Sequence, residues 1–404
     1  MKLSKFAFMF FMFIPVGVSA QSAAEADFLS KNEELTNLFR HARKTDDYKA
    51  CEDILRKQIA LFCSMDSLLS EPFGYFKHKS YYDLACIQSI EGKKDEAIRS
   101  FAEAYDDGNF ELTYKSVMED KDLDNIRNEK GFQTILAKIK EASDYIKILR
   151  NAPAYSETTD ASDLPVITYL DKDDKDLVRV REYFKLDSVA GNCDELTKIR
   201  KILTYIHDKI RHDGTQANPR GDRNAINYGS ACKDGAHSLN CRGMATVLNE
   251  CYLAMGIKSR IITCLPKRFF SDCHVINAVY SETLGKWLWI DPTNNAWVTD
   301  DKGNMLSVPE VRERLRAGLP VQVNDEANWN NERKVETEDY LYSYMAKNLF
   351  YIECWTRYGF NTESDKNIPV NYIMLQPPGC KSNAMLEGSI AVNDDSCFWA
   401  APGA

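Results

Sequence analysis

From residue 23 to about 150, apolar positions recur at steps of three and four and proline is nearly absent, which predicts helices throughout. Beyond residue 163 the period is mixed. Glu195 to Ile210 still reads as an amphipathic helix, with Ile199, Ile202, Leu203, Ile206 and Ile210 on one side. A second stripe, Met244, Val247, Leu248, Cys251 and Met255, follows Asn240, a good N-cap, and stops at Gly256. Leu239 and Met244 sit at the positions of a hydrophobic staple. Ile257–Cys264, His274–Tyr280 and Lys286–Asp291 then read as strands, the last two joined by a turn at Ser281–Gly285. A helix followed by antiparallel strands predicts an α+β domain with that helix packed on the sheet.

Weaker signals fill in the rest. Leu164–Leu170 reads as a strand, and Asp173 or Asp174 as the cap of a helix through Phe184. Arg211 to Ser230 is polar and irregular, either one wall of a cleft or a solvated connection. Val308–Ala317 reads as a helix closed by Gly318, Tyr340–Arg357 as a buried segment, and Val370–Gln376 as a strand. Phe398 and Trp399 predict a tail docked on the domain.

Within the helical region, Tyr81, Leu84, Ala85, Gly92, Ala97, Phe101 and Ala104 fit the small and large positions of a helix pair that resembles a tetratricopeptide repeat. Gln88 stands where that repeat usually has an aromatic residue and Asn109 where it has proline. Asn151 to Asp163 is rich in Ser, Thr, Asp and Ala and reads as a linker. The expected order is a signal segment at 1–20, a helical domain at 23–150, the linker at 151–163, and a second domain at 164–404.

The signal reading rests on Lys2 and Lys5, an apolar run from Phe6 to Val18 too short to span a bilayer, and small residues at Val18-Ser19-Ala20. It predicts cleavage after Ala20 and a secreted or periplasmic chain that does not stay in a membrane. The net charge of -9, with no basic block, gives no reason to expect nucleic acid. Twelve cysteines permit disulfides in that compartment, but their spacing assigns none. Cys51, Cys63, Cys86 and Cys251 fall in helical patterns and read as core residues.

Three residues at the edges of elements carry the candidate chemistry. Cys241 opens a helix, His274 opens a strand and Asp291 ends the next strand. A helix N-terminus and a nearby imidazole both favour a thiolate nucleophile. The imidazole would protonate the leaving group, and the aspartate would hold the ring in one tautomer. His274 and Asp291 are 17 residues apart, enough for two strands and a turn, so the scheme requires them to lie side by side. The Cys241 amide is a natural oxyanion donor; Asn240 and the loop before it are to supply the rest of that site, with Tyr228 and His237 as candidates for a second donor.

These blocks resemble the transglutaminase-like core of the papain-like superfamily. Gly256-Ile257-Lys258-Ser259-Arg260, His274-Val275-Ile276-Asn277 and Trp289-Ile290-Asp291-Pro292-Thr293 occur in the family's order, over about 193–323. The resemblance implies Cys241 as nucleophile, His274 as base and Asp291 as orienter. Members commonly have glycine before the nucleophile, where this chain has Asn240. The implied function is acyl transfer from an amide through a thioester, with water as the expected acceptor: a peptidase or amidase. Cross-linking or deamidation is one alternative; a non-catalytic module binding protein or glycan on the same fold is another.

Each residue also has a plainer reading. Cys241 alone would be a core cysteine, His274 a packed or surface histidine, and Asp291 before proline a turn residue. His207 and His212 read as surface groups, and Trp287 and Trp289 as core, while Trp297 is the candidate for lining a cleft. Cys232, His237, Cys241, Cys264, Cys273 and His274 cluster locally but lack the close pairing of structural zinc sites, so no metal or other cofactor is expected. The expected partner is a protein or peptide substrate, cell-wall peptide included, with the helical domain as a surface for a second protein.

Overall fold

A computed structural model describes residues 23–65, 73–105, 110–156, 165–268, 272–382, 385 and 388–403. The expected signal segment and its cleavage point, and Asn109, lie outside these residues, as does most of the expected linker. The chain divides into two compact units, the first ending at Asp144 and the second beginning at Tyr145.

The first unit is helical: α1 (Ala23–Lys44), α2 (Tyr48–Cys63), α3 (Gly74–Ile90), α4 (Lys94–Ala104), α5 (Tyr114–Glu119) and α6 (Lys130–Ala142). α3 and α4 form the expected pair. Gly92 makes the turn in the left-handed region at φ 77°, and Ala85, Ala97, Phe101 and Ala104 are buried where the helices meet. Phe101 stacks on Phe132 of α6 with ring centroids 4.7 Å apart. Gln88 has a polar task in place of an aromatic one. Its amide donates to Glu52 of α2 at 3.2 Å and its oxygen accepts from Ser100 of α4 at 2.7 Å, tying three helices together. Cys51 and Cys86 are core residues, but Cys63, at the end of α2, is exposed.

The second unit opens with α7 (Tyr145–Arg150), expected at the end of the first domain. Leu149 is fully buried there, and Arg150 donates to the Arg316 carbonyl at 3.1 Å. Part of the expected linker is also packed: the Arg312 guanidinium lies 4.6 Å from the Tyr155 ring centroid. Next come α8 (Lys175–Tyr183), capped by Asp174, α9 (Leu186–Ala190), α10 (Glu195–Lys209), α11 (Ala225–Ala231), α12 (Cys241–Ala254) and α13 (Val308–Ala317). α11 lies in the stretch expected to be irregular, where the Asn224 side chain caps it by accepting from Asn227 N. In the described part of the expected strand at 164–170, Thr168–Tyr169 forms a strand, beside Arg357–Tyr358.

The main sheet has eight strands: β1 (Ser259–Leu265), β2 (His274–Ser281), β3 (Lys286–Asp291), β4 (Ala296–Thr299), β5 (Gln322–Val323), β6 (Tyr351–Trp355), β7 (Tyr372–Leu375) and β8 (Ile390–Val392). Their spatial order is β8-β7-β6-β1-β2-β3-β4-β5, antiparallel except for the β7–β8 pair. α12 packs on β1 and β2, as the α+β reading expects. The side chains of Met244, Val247, Leu248 and Cys251 are fully buried, and each large apolar one is worth about 1.5–3 kcal/mol of transfer free energy. The segment from Tyr340 is not one element. A π-helix at Glu338–Met345 precedes β6. The tail is docked: Arg260 of β1 donates to the Phe398 carbonyl at 2.6 Å, and Trp287 Nε1 donates to the Trp399 carbonyl at 3.0 Å.

Candidate active site

The register of β2 against β3 pairs Asn277 with Ile290. One step further sets Asp291 opposite Ile276, two residues from His274. Side chains at alternate positions face the same way, so His274 and Asp291 are diagonal neighbours on one face. Their separation meets the requirement derived from the sequence: His274 Nε2 is 2.8 Å from Asp291 Oδ2.

Cys241 reaches the same histidine from the helix. Asn240 ends the extended chain and caps α12, its Oδ1 accepting from Gly243 N at 3.0 Å. Cys241 is thereby the first helical residue, where the amide has no partner within the helix. Its thiol interacts with the His274 ring. Because Nε2 is engaged by Asp291, Nδ1 is the nitrogen left to face sulfur. The three side chains are well covered, with Cys241 5%, His274 3% and Asp291 0% exposed.

Charge inside this cluster follows from its partners. Burial disfavours the imidazolium, but the Asp291 carboxylate and the Cys241 thiol outweigh it and hold His274 well above its ordinary value. Burial also works against the Asp291 carboxylate, and His274, Tyr340 and Asn294 overcome it, so Asp291 is held low. Asp291 is saturated with donors: Tyr340 Oη at 2.6 Å and Asn294 Nδ2 at 2.9 Å on Oδ2, and Thr293 N at 2.8 Å on Oδ1. Tyr340 and Tyr344 both come from the π-helix, a form that often marks functional sites. The Tyr344 ring meets the His274 ring edge-on at 5.4 Å and donates its hydroxyl to the Cys273 carbonyl at 3.2 Å.

Of the other candidates, Asn240 lies at the site and is spent on structure. Beyond capping the helix, it exchanges two hydrogen bonds with Asn218, 3.0 Å from its own amide and 2.8 Å to its Oδ1. Tyr228 is buried in α11, beside Glu363, Arg223 and Arg242. His237 turns its Nδ1 onto the neighbouring Ser238 carbonyl. Trp297 packs beneath the Arg200 guanidinium of α10, 5.8 Å from the ring centroid, and does not join the cluster. Trp287 and Trp289 are core, as expected. Among the described residues, the group able to bring three metal-ligand atoms together is Cys86, Asp120 and Asp122 of the first unit. The twelve cysteines are all unpaired thiols.

Two histidines correct the sequence reading. His207 is buried, with Nδ1 3.0 Å from the Pro292 carbonyl and Nε2 3.0 Å from Asn328 Oδ1. His212 is half-buried and close enough to His274 and Asp291 to feel both charges. His207 lies in the last turns of α10 and His212 just beyond it, and the chain around Asn328–Asn331 covers that helix end, a cover nothing local signals. The contacts of Asn218, Asn294, Tyr340 and Tyr344 with the cluster or its supports likewise have little local signal in the sequence. The Asn294 position, three residues past Asp291, was the one accessible hint.

Residues 184–292 match the model of the transglutaminase-like superfamily. No curated protein matches the chain. A solved structure named "Putative Cysteine Protease from Cytophaga hutchinsonii" is 17% identical, with a TM-score of 0.24. That alignment covers 42% of this chain and 54% of the other, about half its length, and at that TM-score it adds nothing to the assignment.

Proposed function

We propose, on the premise that residues 184–292 belong to the transglutaminase-like superfamily, that the chain is a cysteine enzyme transferring the acyl group of an amide to water: a peptidase or amidase. The observation that carries this reading is the 2.8 Å His274–Asp291 pair beside a helix-opening Cys241. The Cys241 sulfur attacks the carbonyl carbon, a C–S bond forms, and the carbonyl π pair moves onto oxygen. Collapse breaks the C–N bond, and His274 gives its proton to the leaving amine. Water then gives a proton to His274 and attacks the thioester, releasing the acid and the Cys241 sulfur. The Cys241 amide is the first donor to the oxyanion. Water is the preferred acceptor because nothing in the sequence, and no group beside the cluster among the described residues, marks a site for a second amine. The substrate class is protein or peptide, and cell-wall peptide fits the export suggested by Lys2, Lys5 and the apolar Phe6–Val18 run.

A second reading, a binding module that retains the fold without catalysis, is favoured by one observation: Cys241 is 5% exposed. Thiol labelling separates the two. An enzyme predicts that iodoacetamide alkylates Cys241 faster than the other thiols, and that His274→Ala slows this by about 10²-fold, a typical contribution of a positioned base. An inert Cys241 would sink the enzyme reading. Peptide-library profiling with wild type and Cys241→Ala then identifies the substrate, and the mass of the exported N-terminus tests cleavage after Ala20.

A further inference from the structure

The Cys241 amide supplies one donor to a developing oxyanion; of the residues expected from sequence to supply a second, Tyr228 is buried in α11 beside Glu363, Arg223 and Arg242, and His237 engages the Ser238 carbonyl through Nδ1. His212 has the missing chemistry. It sits in a short bridge to Leu239, two residues before Cys241: Asp213 N donates to the Leu239 carbonyl at 2.8 Å, and Leu239 N donates to the Arg211 carbonyl at 3.0 Å. Asn330 grips its backbone from both sides, accepting from His212 N at 2.8 Å and donating to His212 O at 2.9 Å. Asn330 and Asn331 form the left-handed turn, at φ 55° and 57°, of a hairpin joining Asn328–Trp329 to Arg333–Lys334.

That hairpin also fixes the ring. Trp329 Nε1 donates to His212 Nδ1 at 3.0 Å. An indole N–H can only donate, so Nδ1 must be the acceptor and the neutral ring must carry its hydrogen on Nε2. Burial, with repulsion from His274, pushes His212 down to about 4, so the ring stays neutral at ordinary pH. His212 is thus a rigid, uncharged N–H donor at the edge of the Cys–His–Asp cluster.

We infer that His212 is the second hydrogen-bond donor for the acyl oxygen, presenting Nε2–H to that oxygen as it gains charge beside the Cys241 amide. The inference rests on the acyl-transfer reading above. Trp329 and Asn330 are its positioning residues.

Two reagents test it on the full chain. Iodoacetamide alkylates sulfur without forming an oxyanion, whereas p-nitrophenyl acetate acylates it through one and releases p-nitrophenolate. Wild type is expected to react with both at Cys241. His212→Ala should keep the alkylation rate and lose about 10²-fold in acylation, the typical loss for one oxyanion donor. His212→Gln, which restores an N–H donor, should recover part of it. Trp329→Phe, which frees the tautomer, should fall between His212→Ala and wild type. Acylation by His212→Ala at the wild-type rate would overturn the assignment. So would equal loss of alkylation and acylation in both His212 variants, the signature of a merely structural residue. A wild-type Cys241 inert to both reagents would overturn the acyl-transfer reading itself.

Discussion

The Tyr340 hydroxyl donates at 2.6 Å to Asp291 Oδ2, the same oxygen that meets His274 Nε2 at 2.8 Å. One carboxylate oxygen thus holds both the ring that would move protons and a tyrosine from the π-helix. Trp289 Nε1 lies 3.3 Å behind the tyrosine oxygen as a donor to it, extending the chain into the core. Removing the hydroxyl deletes a bond to a buried charge, a loss of about 1.5–3 kcal/mol. Tyr340→Phe is therefore expected to lower urea-unfolding stability by that amount. It should also slow Cys241 acylation by about 10-fold, or about 1.4 kcal/mol in the barrier. Unchanged acylation in a destabilised Tyr340→Phe would mean that the tyrosine supports the fold and not the ring.

The His274–Asp291 pair makes stability depend on pH in a defined direction. Asp291 is held at about 2, below its unfolded value of about 3.9, so its contribution is present above pH 3.9 and fades as pH falls toward 2. His274 is held at about 10, above its unfolded value of about 6.5, so its contribution is full below pH 6.5 and is lost as pH rises toward 10. The Tm advantage of wild type over His274→Gln should be greatest between about pH 4 and 6.5 and shrink steadily above it. An advantage that grows between pH 7 and 10 would contradict the direction of the His274 shift.

What could be read from the sequence was whatever has a local period or a local cap. The α12 stripe from Met244 to Cys251, the Asn240 cap, the Gly256 stop at φ 77° and the β2–β3 hairpin appear where expected, and with them the closeness of His274 and Asp291, while Met255 is the half-buried C-cap. Contacts made by distant segments were not legible. Tyr340 reaches Asp291 from 49 residues away, and Asn330 reaches His212 from 118. An aromatic run such as Tyr340–Tyr344 reports burial, but it does not say which hydroxyl finds which carboxylate. Cys63 errs the other way: its helical spacing is sound, but its side chain at the end of α2 is exposed.

Gly243 tests the support beneath the nucleophile. A glycine inside a helix costs about 1 kcal/mol relative to alanine, so Gly243→Ala would ordinarily stabilise α12. Here a Cβ would come within 2.6 Å of Asn218 Oδ1 and 2.9 Å of its Nδ2, so the amide would have to move. Moving it breaks both bonds to Asn240, the residue that caps the helix and precedes Cys241. Gly243→Ala is expected to lower Tm and slow iodoacetamide labelling of Cys241. Asn218→Ala should slow labelling in the same way, and Gly243→Ala should then add little to it, because the clash partner is gone. Additive losses would place the effect of Gly243 outside the Asn218 contact.

Arg260 makes the tail part of the fold. Its guanidinium is nearly inaccessible, lies 4.1 Å from the Trp287 ring centroid, and donates to the carbonyls of Phe398 at 2.6 Å and Ala400 at 3.2 Å and to Tyr169 Oη at 2.6 Å. A buried arginine without acceptors would be costly, so the tail carbonyls complete the desolvated charge as much as the charge anchors the tail. Arg260→Leu keeps apolar bulk over Trp287 and deletes the donors. It is expected to cost about 1.5–3 kcal/mol in urea unfolding, the scale of a bond to a charged group. Its more specific consequence is local. The segment around Phe398 should become sensitive to limited proteolysis while the sheet stays resistant, because the tail loses its polar anchor before the core loses packing. A variant cut no faster than wild type near Phe398 would show that the apolar contacts of Phe398 hold the tail by themselves.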